Sequence, residues 1–377
     1  MKYRRVRAMA RKEFLHIVRD TRSLVMALLV PLFMLILFGY ALSLDVDHIP
    51  TLIVDRDQSP ASRDLRARFE GTPYFDVRGV DTSTVLVNRE IDRGSILLAV
   101  VIPAGFHRDL SRGERPSVQL LLDGSDSNTA SIAINYAQAL ISVWALERTA
   151  VRINKLTGQH PVTPAEAQVR VWYNSDLKSR NYLIPGLIAV VLMIIAALLT
   201  SLTIAREWEN GSMEQLLSTP LRPAEIVLGK LAAYFAIGAV DVLTSVLMGI
   251  YVFDVPLRGN LFFLAFASGL FLFGALSWGI LISAIAKTQL LAYQMGMLSS
   301  FLPAFLLSGF MYSVENMPQA IQIATYVVPA RYFIVVLKAV YLKGEGMALL
   351  WTQILFLALY AGVVFTLATR KIGHKVA

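Results

Sequence analysis

The chain has 377 residues, of which 55% are hydrophobic and only 16% charged, with a mean hydropathy of +0.56. It carries a net charge of +8 and no cysteine, which excludes disulfides, cysteine metal sites and cysteine nucleophiles. The basic excess does not mark nucleic-acid binding: residues 1–22 hold eight Lys/Arg against Glu13 and Asp20, whereas 45–180 is nearly neutral, with 16 basic and 17 acidic residues.

Residues 1–22 form a basic amphipathic segment, with Val6, Ala10, Phe14, Ile17 and Val18 within helical reach of one another. This predicts an elbow helix lying at the lipid surface. The stretch 23–44 is the first of six apolar runs; the others are 181–205, 231–253, 261–286, 288–314 and 347–369. At about 1.5 Å per residue each covers the roughly 30 Å hydrocarbon core of a bilayer. The six runs contain one charge, Asp241. The first run is longer than a signal-peptide core and no Ala-x-Ala follows it, so a retained anchor is expected. Six crossings put both basic ends, including the tail 370–377, on the cytoplasmic side. Segments 45–180, 254–260 and 315–346 then fall outside, and 206–230 inside.

The block 45–180 reads as a mixed α/β domain between the first two membrane helices. Strands are expected at 51–54, 95–101 and 117–122, and helices at 59–69, opened by Ser59 and Pro60, and at 81–93. A long amphipathic helix is expected over 129–155, with Ile132, Tyr136, Ala139, Val143, Leu146, Ala150 and Ile153 on its apolar stripe. Asp55, Asp57, Asp64, Asp123 and Asp126 read as turn and cap residues rather than catalytic pairs. His16, His48, His107, His160 and His374 are scattered, with no metal-ligand or triad spacing.

Segment 206–230 holds a short polar helix: Gly211 breaks the incoming span, Ser212-x-x-Gln215 suggests a capping box, and Pro220 and Pro223 end it. In the third run Asp241 stands beside Thr244 and Ser245. A packing hydrogen bond between helices, a proton or cation relay, and a polar lining of a transport path all fit it. The fifth run contains Gly296, Pro303 and Gly309, the pattern of a kinked helix. Residues 315–346 are too apolar for a free loop and are interrupted by Pro318 and Pro329, which suggests short re-entrant helices.

Three ordered clusters carry a resemblance to the permeases of ABC-2 type transporters, and it spans the chain. The first is Arg11-Lys-Glu-Phe14 with Arg19-Asp20, Pro31 and Phe38-Gly-Tyr-Ala-Leu42. The second is Arg206-Glu-x-Glu-x-Gly-Ser-Met-Glu214 through Thr219-Pro220 to Gly229-Lys230. The third is Leu307-Ser-Gly-Phe310, Asn316-Met-Pro318, Pro329-Ala-Arg-Tyr-Phe333 and Leu342-Lys-Gly344. Ser212 stands where threonine is usual in that family, and Trp208 where a basic residue is usual.

The resemblance implies a bacterial inner-membrane permease for amphiphilic drugs or lipid-like compounds, paired with a second permease. A periplasmic adaptor and an outer-membrane channel are further implied partners. ATP and Mg would bind a separate cytoplasmic ABC ATPase, and the chain itself has no phosphate loop, since Gly229-Lys230 lacks the preceding glycine and the following Ser/Thr. The resemblance also implies ATPase coupling through Lys12, Glu13, Arg206, Glu207, Glu209, Gly211, Ser212, Met213, Glu214, Leu216 and Leu217. Asp241, Pro303, Gly309, Pro318 and Pro329 become candidates for the path or gate. Two rivals remain: an envelope receptor or scaffold with a periplasmic sensor domain, which would need a cytoplasmic signalling domain, and an ion-coupled secondary transporter, which would need ion sites near the midplane.

Overall fold

A computed structural model describes residues 3–42, 47–114, 116–157, 172–174 and 178–373, without the side chains of Arg22, Ser23, Met26, Asn128, 152–157 and Leu217. The chain forms two compact units, 1–43 with 170–377, and 44–169. It is a polytopic α-helical membrane protein with an inserted, strand-containing domain. Among the described residues five helices are long and apolar enough to cross a membrane, six if one bent pair counts as a span.

The first unit begins with α1 (Tyr3–Arg19), which buries Met9, Glu13 and Ile17, and α2 (Thr21–Ala41), which carries Pro31 inside it. The described apolar part of α2 is short, Ala27–Ala41.

The inserted unit follows. Its elements are β1 (Ile49–Asp55), α3 (Pro60–Glu70), β2 (Phe75–Asp81), α4 (Val85–Asp92), β3 (Leu98–Ile102), α5 (Phe106–Arg112), β4 (Gln119–Leu122) and α6 (Ser127–Thr157). The sheet order is β2-β1-β3-β4; β1 is parallel to β2 and to β3, and β4 runs antiparallel on the edge. Helices α3 and α4 are the crossovers that such parallel neighbours require. One core joins Ile49, Ile53, Leu65, Phe69, Val100, Phe106 and Trp144, and a second, on Val54, Ala99 and Val101, is covered by Val87 of α4.

Strand β2 escaped the sequence reading because Asp76, Arg78 and Gly79 break its apolar pattern; it is an edge strand, and its register with β1 shifts at Thr51/Leu52. Helix α5 was missed too, being short and burying only Phe106. Ser59 caps α3 as expected, in a reciprocal pair with Ser62.

Helix α6 corrects one expectation. The stripe through Tyr136, Val143 and Leu146 is exposed, while Ala130, Ala133, Ala137 and Trp144 are buried. Ala133 and Ala137 permit close approach on this face, and Trp144, stacked on Phe106, fills the space beside them. Residues Thr129–Val151 have the length and apolarity of a membrane span, yet this helix serves the domain core.

Asp64 is not a turn residue: its Oδ2 accepts from Trp144 Nε1 and from Arg148 Nη2, each at 2.8 Å, tying α3 to α6. The Arg148 guanidinium, with help from the indole, holds this carboxyl below the usual carboxylate range. A depressed carboxylate stabilises the fold above its unfolded pKa of about 3.9, and that contribution is lost as pH falls through the lower folded value. The pair is half-exposed, so the effect is about 1 kcal/mol or less. Asp64→Asn is therefore expected to speed hydrogen exchange in α3 and α6 of the full-length protein at neutral pH. The difference from wild type should shrink below about pH 3.5.

The membrane unit resumes with α7 (Ser179–Glu209), then α8 (Ser212–Leu217), α9 (Pro223–Tyr251), α10 (Leu261–Ala286), α11 (Gln289–Leu306), α12 (Gln319–Thr325), α13 (Pro329–Lys338), a π-helical turn at Ala339–Lys343, and α14 (Met347–Gly373). Helix α7 is apolar all round and correspondingly enclosed, by α2, α9, α10, α11 and α13. Its contact with α10 is close because Gly279 faces Ala197 and Thr200. Thr200 Oγ1 donates to the Leu276 carbonyl at 2.9 Å, and Ser283 Oγ accepts from the Ala205 amide at 2.9 Å.

Two segment boundaries move. Helix α9 starts at Pro223, eight residues before 231, because Pro223 sits in its first turn and Glu225 Oε2 accepts the Arg222 amide at 3.0 Å. The run 288–314 is helical only to Leu306; Gly309 lies beyond it in a left-handed turn, φ +83°. Helices α12 and α13 meet at 81°.

Candidate functional site

The elements at one end of the membrane unit converge on a buried charge. Lys230, 1% exposed, reaches Glu13 Oε1 at 3.0 Å and Glu207 Oε1 at 3.1 Å. Lys12 Nζ adds a bond to Glu207 Oε1 at 3.2 Å and lies 3.7 Å from Glu13 Oε1. Helices α1, α7 and α9 are thus pinned by two ammonium groups and two carboxylates. Gly229 makes the approach of α1 feasible, since a Cβ there would fall 2.5 Å from that of Met9. Further along, Arg5 Nη1 lies 3.6 Å from the buried Glu225 Oε2.

A second clamp joins the end of α7 to the start of α11. Glu209 Oε2 accepts from the Gln289 backbone amide at 3.1 Å and its Nε2 at 3.0 Å, and Arg206 Nε donates to Gln289 Oε1 at 3.3 Å. A carboxylate at a helix N-terminus is favoured by the unpaired amides and the dipole there.

Between the clamps stands α8. Gly211 is left-handed, φ +68°, and turns the chain out of α7. The expected capping box is absent: Ser212 Oγ donates back to the Glu207 carbonyl at 3.3 Å, because Gly211 occupies the N-cap position. Met213 is buried and Leu216 half-buried, which seats the helix, while Glu214 and Gln215 face outward. The side chain of Leu217 lies outside the described residues. The structure therefore brings Lys12, Glu13 and Glu207 together, commits Arg206 and Glu209 to Gln289, and leaves Glu214 on the surface.

Sequence reasoning did not select Lys230, Arg5, Glu225 or Gln289 for this site. A signal existed for two of them, since Glu225 and Lys230 are charges on the helical run leading into an apolar span, where burial demands partners.

The comparisons with known proteins decide the family: the model of the ABC-2 family transporter protein matches residues 21–370. The chain belongs to that family. It is 36% identical over 358 residues to the probable multidrug ABC transporter permease YbhS of Escherichia coli K12, covering 95% of this chain and 93% of the relative. The corresponding figures for the probable multidrug ABC transporter permease YbhR of that strain are 32% over 352 residues, 93% and 94%. For its inner membrane transport permease YhhJ they are 29% over 324 residues, 85% and 83%. This ABC-2 permease is a transport protein by family, and among its described residues no His, Asp or Glu cluster could hold a metal ion.

The candidate path residues of the ABC-2 permease lie on separate elements. Asp241 is buried in α9, and its Oδ1 has no hydrogen-bond partner among the described residues; the same holds for Ser245 Oγ and for Ser268 Oγ on α10. Thr244 Oγ1 bonds back to the Val240 and Asp241 backbone carbonyls at 2.9 and 3.1 Å rather than to the Asp241 carboxylate. Pro303 lies inside α11, Pro318 precedes α12, and Pro329 opens α13. The Gly309 carbonyl accepts from Tyr182 of α7 at 3.3 Å.

Proposed function

We propose that this chain is the permease subunit of an exporter moving amphiphilic small molecules, drugs or lipid-like compounds, across a bacterial inner membrane. Both termini are cytoplasmic, residues 45–180 are periplasmic, and 206–222 with α1 form the face that receives a separate ABC ATPase using ATP and Mg. A second permease, identical or related, completes the path, and the periplasmic domain offers a surface for an adaptor and outer-membrane channel.

The observation carrying this reading is the charge network. A fully buried lysine shared by two carboxylates makes α1, α7 and α9 move together at the membrane end where α8 protrudes. A push on α8 or α1 is then delivered to the spans as rigid-body motion. Family membership and the word multidrug in the names of two relatives point to the same export chemistry.

Of the four glutamates expected at the ATPase interface, Glu13 and Glu207 are buried, Glu209 is exposed but holds Gln289, and Glu214 is exposed on α8. Glu214→Lys in a reconstituted permease–ATPase complex is expected to cut export per ATP hydrolysed by about tenfold, the effect of about 1.4 kcal/mol at the interface. Membrane level and melting temperature should stay unchanged. An unaltered export-to-ATP ratio would overturn the docking assignment.

A further inference from the structure

Behind α1 the membrane unit encloses a half-open cavity of about 360 Å³, walled by α1, α2, α7, α9 and α11. That volume falls within the range of small-molecule sites, which begins near about 300 Å³. Its lining changes along its depth. One end is hydrocarbon, from Ile195 and Leu199 of α7 and Ile237 of α9; the other carries His16 and Asp20 of α1 and the connecting turn, and Arg206 of α7. From residue 195 to residue 206 the helix rises about 16 Å, so the two ends are separated by the length of a compact drug-like molecule.

We propose that this cavity, within a single permease, binds an amphiphile with its apolar body against Ile195, Leu199 and Ile237 and its polar head at Asp20, His16 and Arg206; this rests on the export reading above. A purely apolar occupant would set hydrocarbon against the charged end, and a purely polar one would waste the hydrocarbon end. An amphiphile satisfies both.

The site also joins the charge network through α1. Glu13, which grips Lys230, lies one helical turn before Ile17, a wall residue of the cavity. A ligand that moves this stretch of α1 moves Glu13 with it, and by linkage any partner that shifts α1 alters affinity in the cavity. Cargo and ATPase are thereby connected through one helix.

The chain's lack of cysteine gives a clean test. Leu199→Cys and, as an exposed control outside the cavity lining, Leu298→Cys are placed in the full permease in lipid nanodiscs and labelled with N-ethylmaleimide without nucleotide. The probes are rhodamine 6G, a cationic amphiphile, and 1-anilinonaphthalene-8-sulfonate, an anionic one. At ten times its dissociation constant each dye should slow labelling of Leu199→Cys about tenfold and leave Leu298→Cys unchanged. Ile237→Cys on the facing helix serves as a second reporter should Leu199→Cys fold poorly.

Unchanged labelling at both cavity positions while the dyes bind elsewhere on the protein overturns the proposal. So does protection already complete in nanodiscs, lost on delipidation and insensitive to dye, which would make the cavity a lipid slot. Export is measured separately with ATP. Protection without any ATP-driven export would sink the export reading and leave the cavity standing.

Discussion

Replacing Lys230 by methionine is expected to destabilise the permease by about 3–5 kcal/mol, the usual cost of stranding a buried charge. The substitution keeps most of the side-chain volume but removes the cation shared by Glu13 and Glu207, whose side chains are only 8% and 10% exposed. Lys12 cannot take over: its side chain is half-exposed, and it already holds Glu207 at 3.2 Å. One Glu207 oxygen, Oε2, is already buried without a hydrogen-bond partner among the described residues, so little capacity remains to absorb another loss.

The expected readout is a sharp fall in the melting temperature of detergent-purified protein, with α1 exchanging its amides first. A double variant, Glu13→Gln with Lys230→Met, separates charge from packing. It leaves Glu207 with Lys12 and one fewer buried anion, so it should recover part of the lost stability. Melting of Lys230→Met at the wild-type temperature would show that the ammonium does not bridge the two carboxylates.

This network also shows why the sequence was legible in some places and opaque in others. Hydrophobic runs announce themselves because a span must be apolar over its whole lipid-exposed length; α7, α10 and α14 include the runs predicted for them, and α9 covers its run as far as Tyr251. Apolar windows stop at the first charge, however, and a helix does not. Helix α9 continues outward through Lys230 and Glu225 because α1 supplies Glu13 and Arg5 as partners across a separation of some two hundred residues, information no local window contains.

The ambiguity of 206–214 has the same source. Glu207, Glu209 and Glu214 are equally polar in the sequence, yet the fold buries Glu207 against Lys230, sets the exposed Glu209 on Gln289 and leaves Glu214 on the outer face of α8. In α6 the failure was different. The predicted stripe marked one face, but the domain core took the other, where Ala133 and Ala137 allow close approach and Trp144 stacks on Phe106. Close approach at the alanines, together with the fit of Trp144, decided which face was buried.

Gly279→Ala tests that principle where it is strictest. An added Cβ would fall far inside van der Waals contact of two atoms on α7, Thr200 Oγ1 and the Ala197 carbonyl oxygen. The hydroxyl can rotate away; the carbonyl cannot, because it belongs to a helix enclosed by neighbours. Accommodation therefore requires α7 and α10 to separate, which strains the bond from Thr200 Oγ1 to the Leu276 carbonyl. Overpacking of this kind costs about 1–3 kcal/mol, and a lost buried hydrogen bond adds about 1 kcal/mol.

Adding Thr200→Ala to the variant should restore only part of that, since the Ala197 carbonyl stays in place. The control is Gly362→Ala in α14, where a new Cβ meets nothing within 4 Å and stability should change by less than about 1 kcal/mol. The contrast between two glycines in neighbouring spans isolates close approach from helix propensity. Equal melting temperatures for the two variants would mean that α7 and α10 are not in contact at this point. A selective loss at Gly279 would instead mark α7 and α10 as one stiff block, the part of the permease against which α1 and α9 can do work.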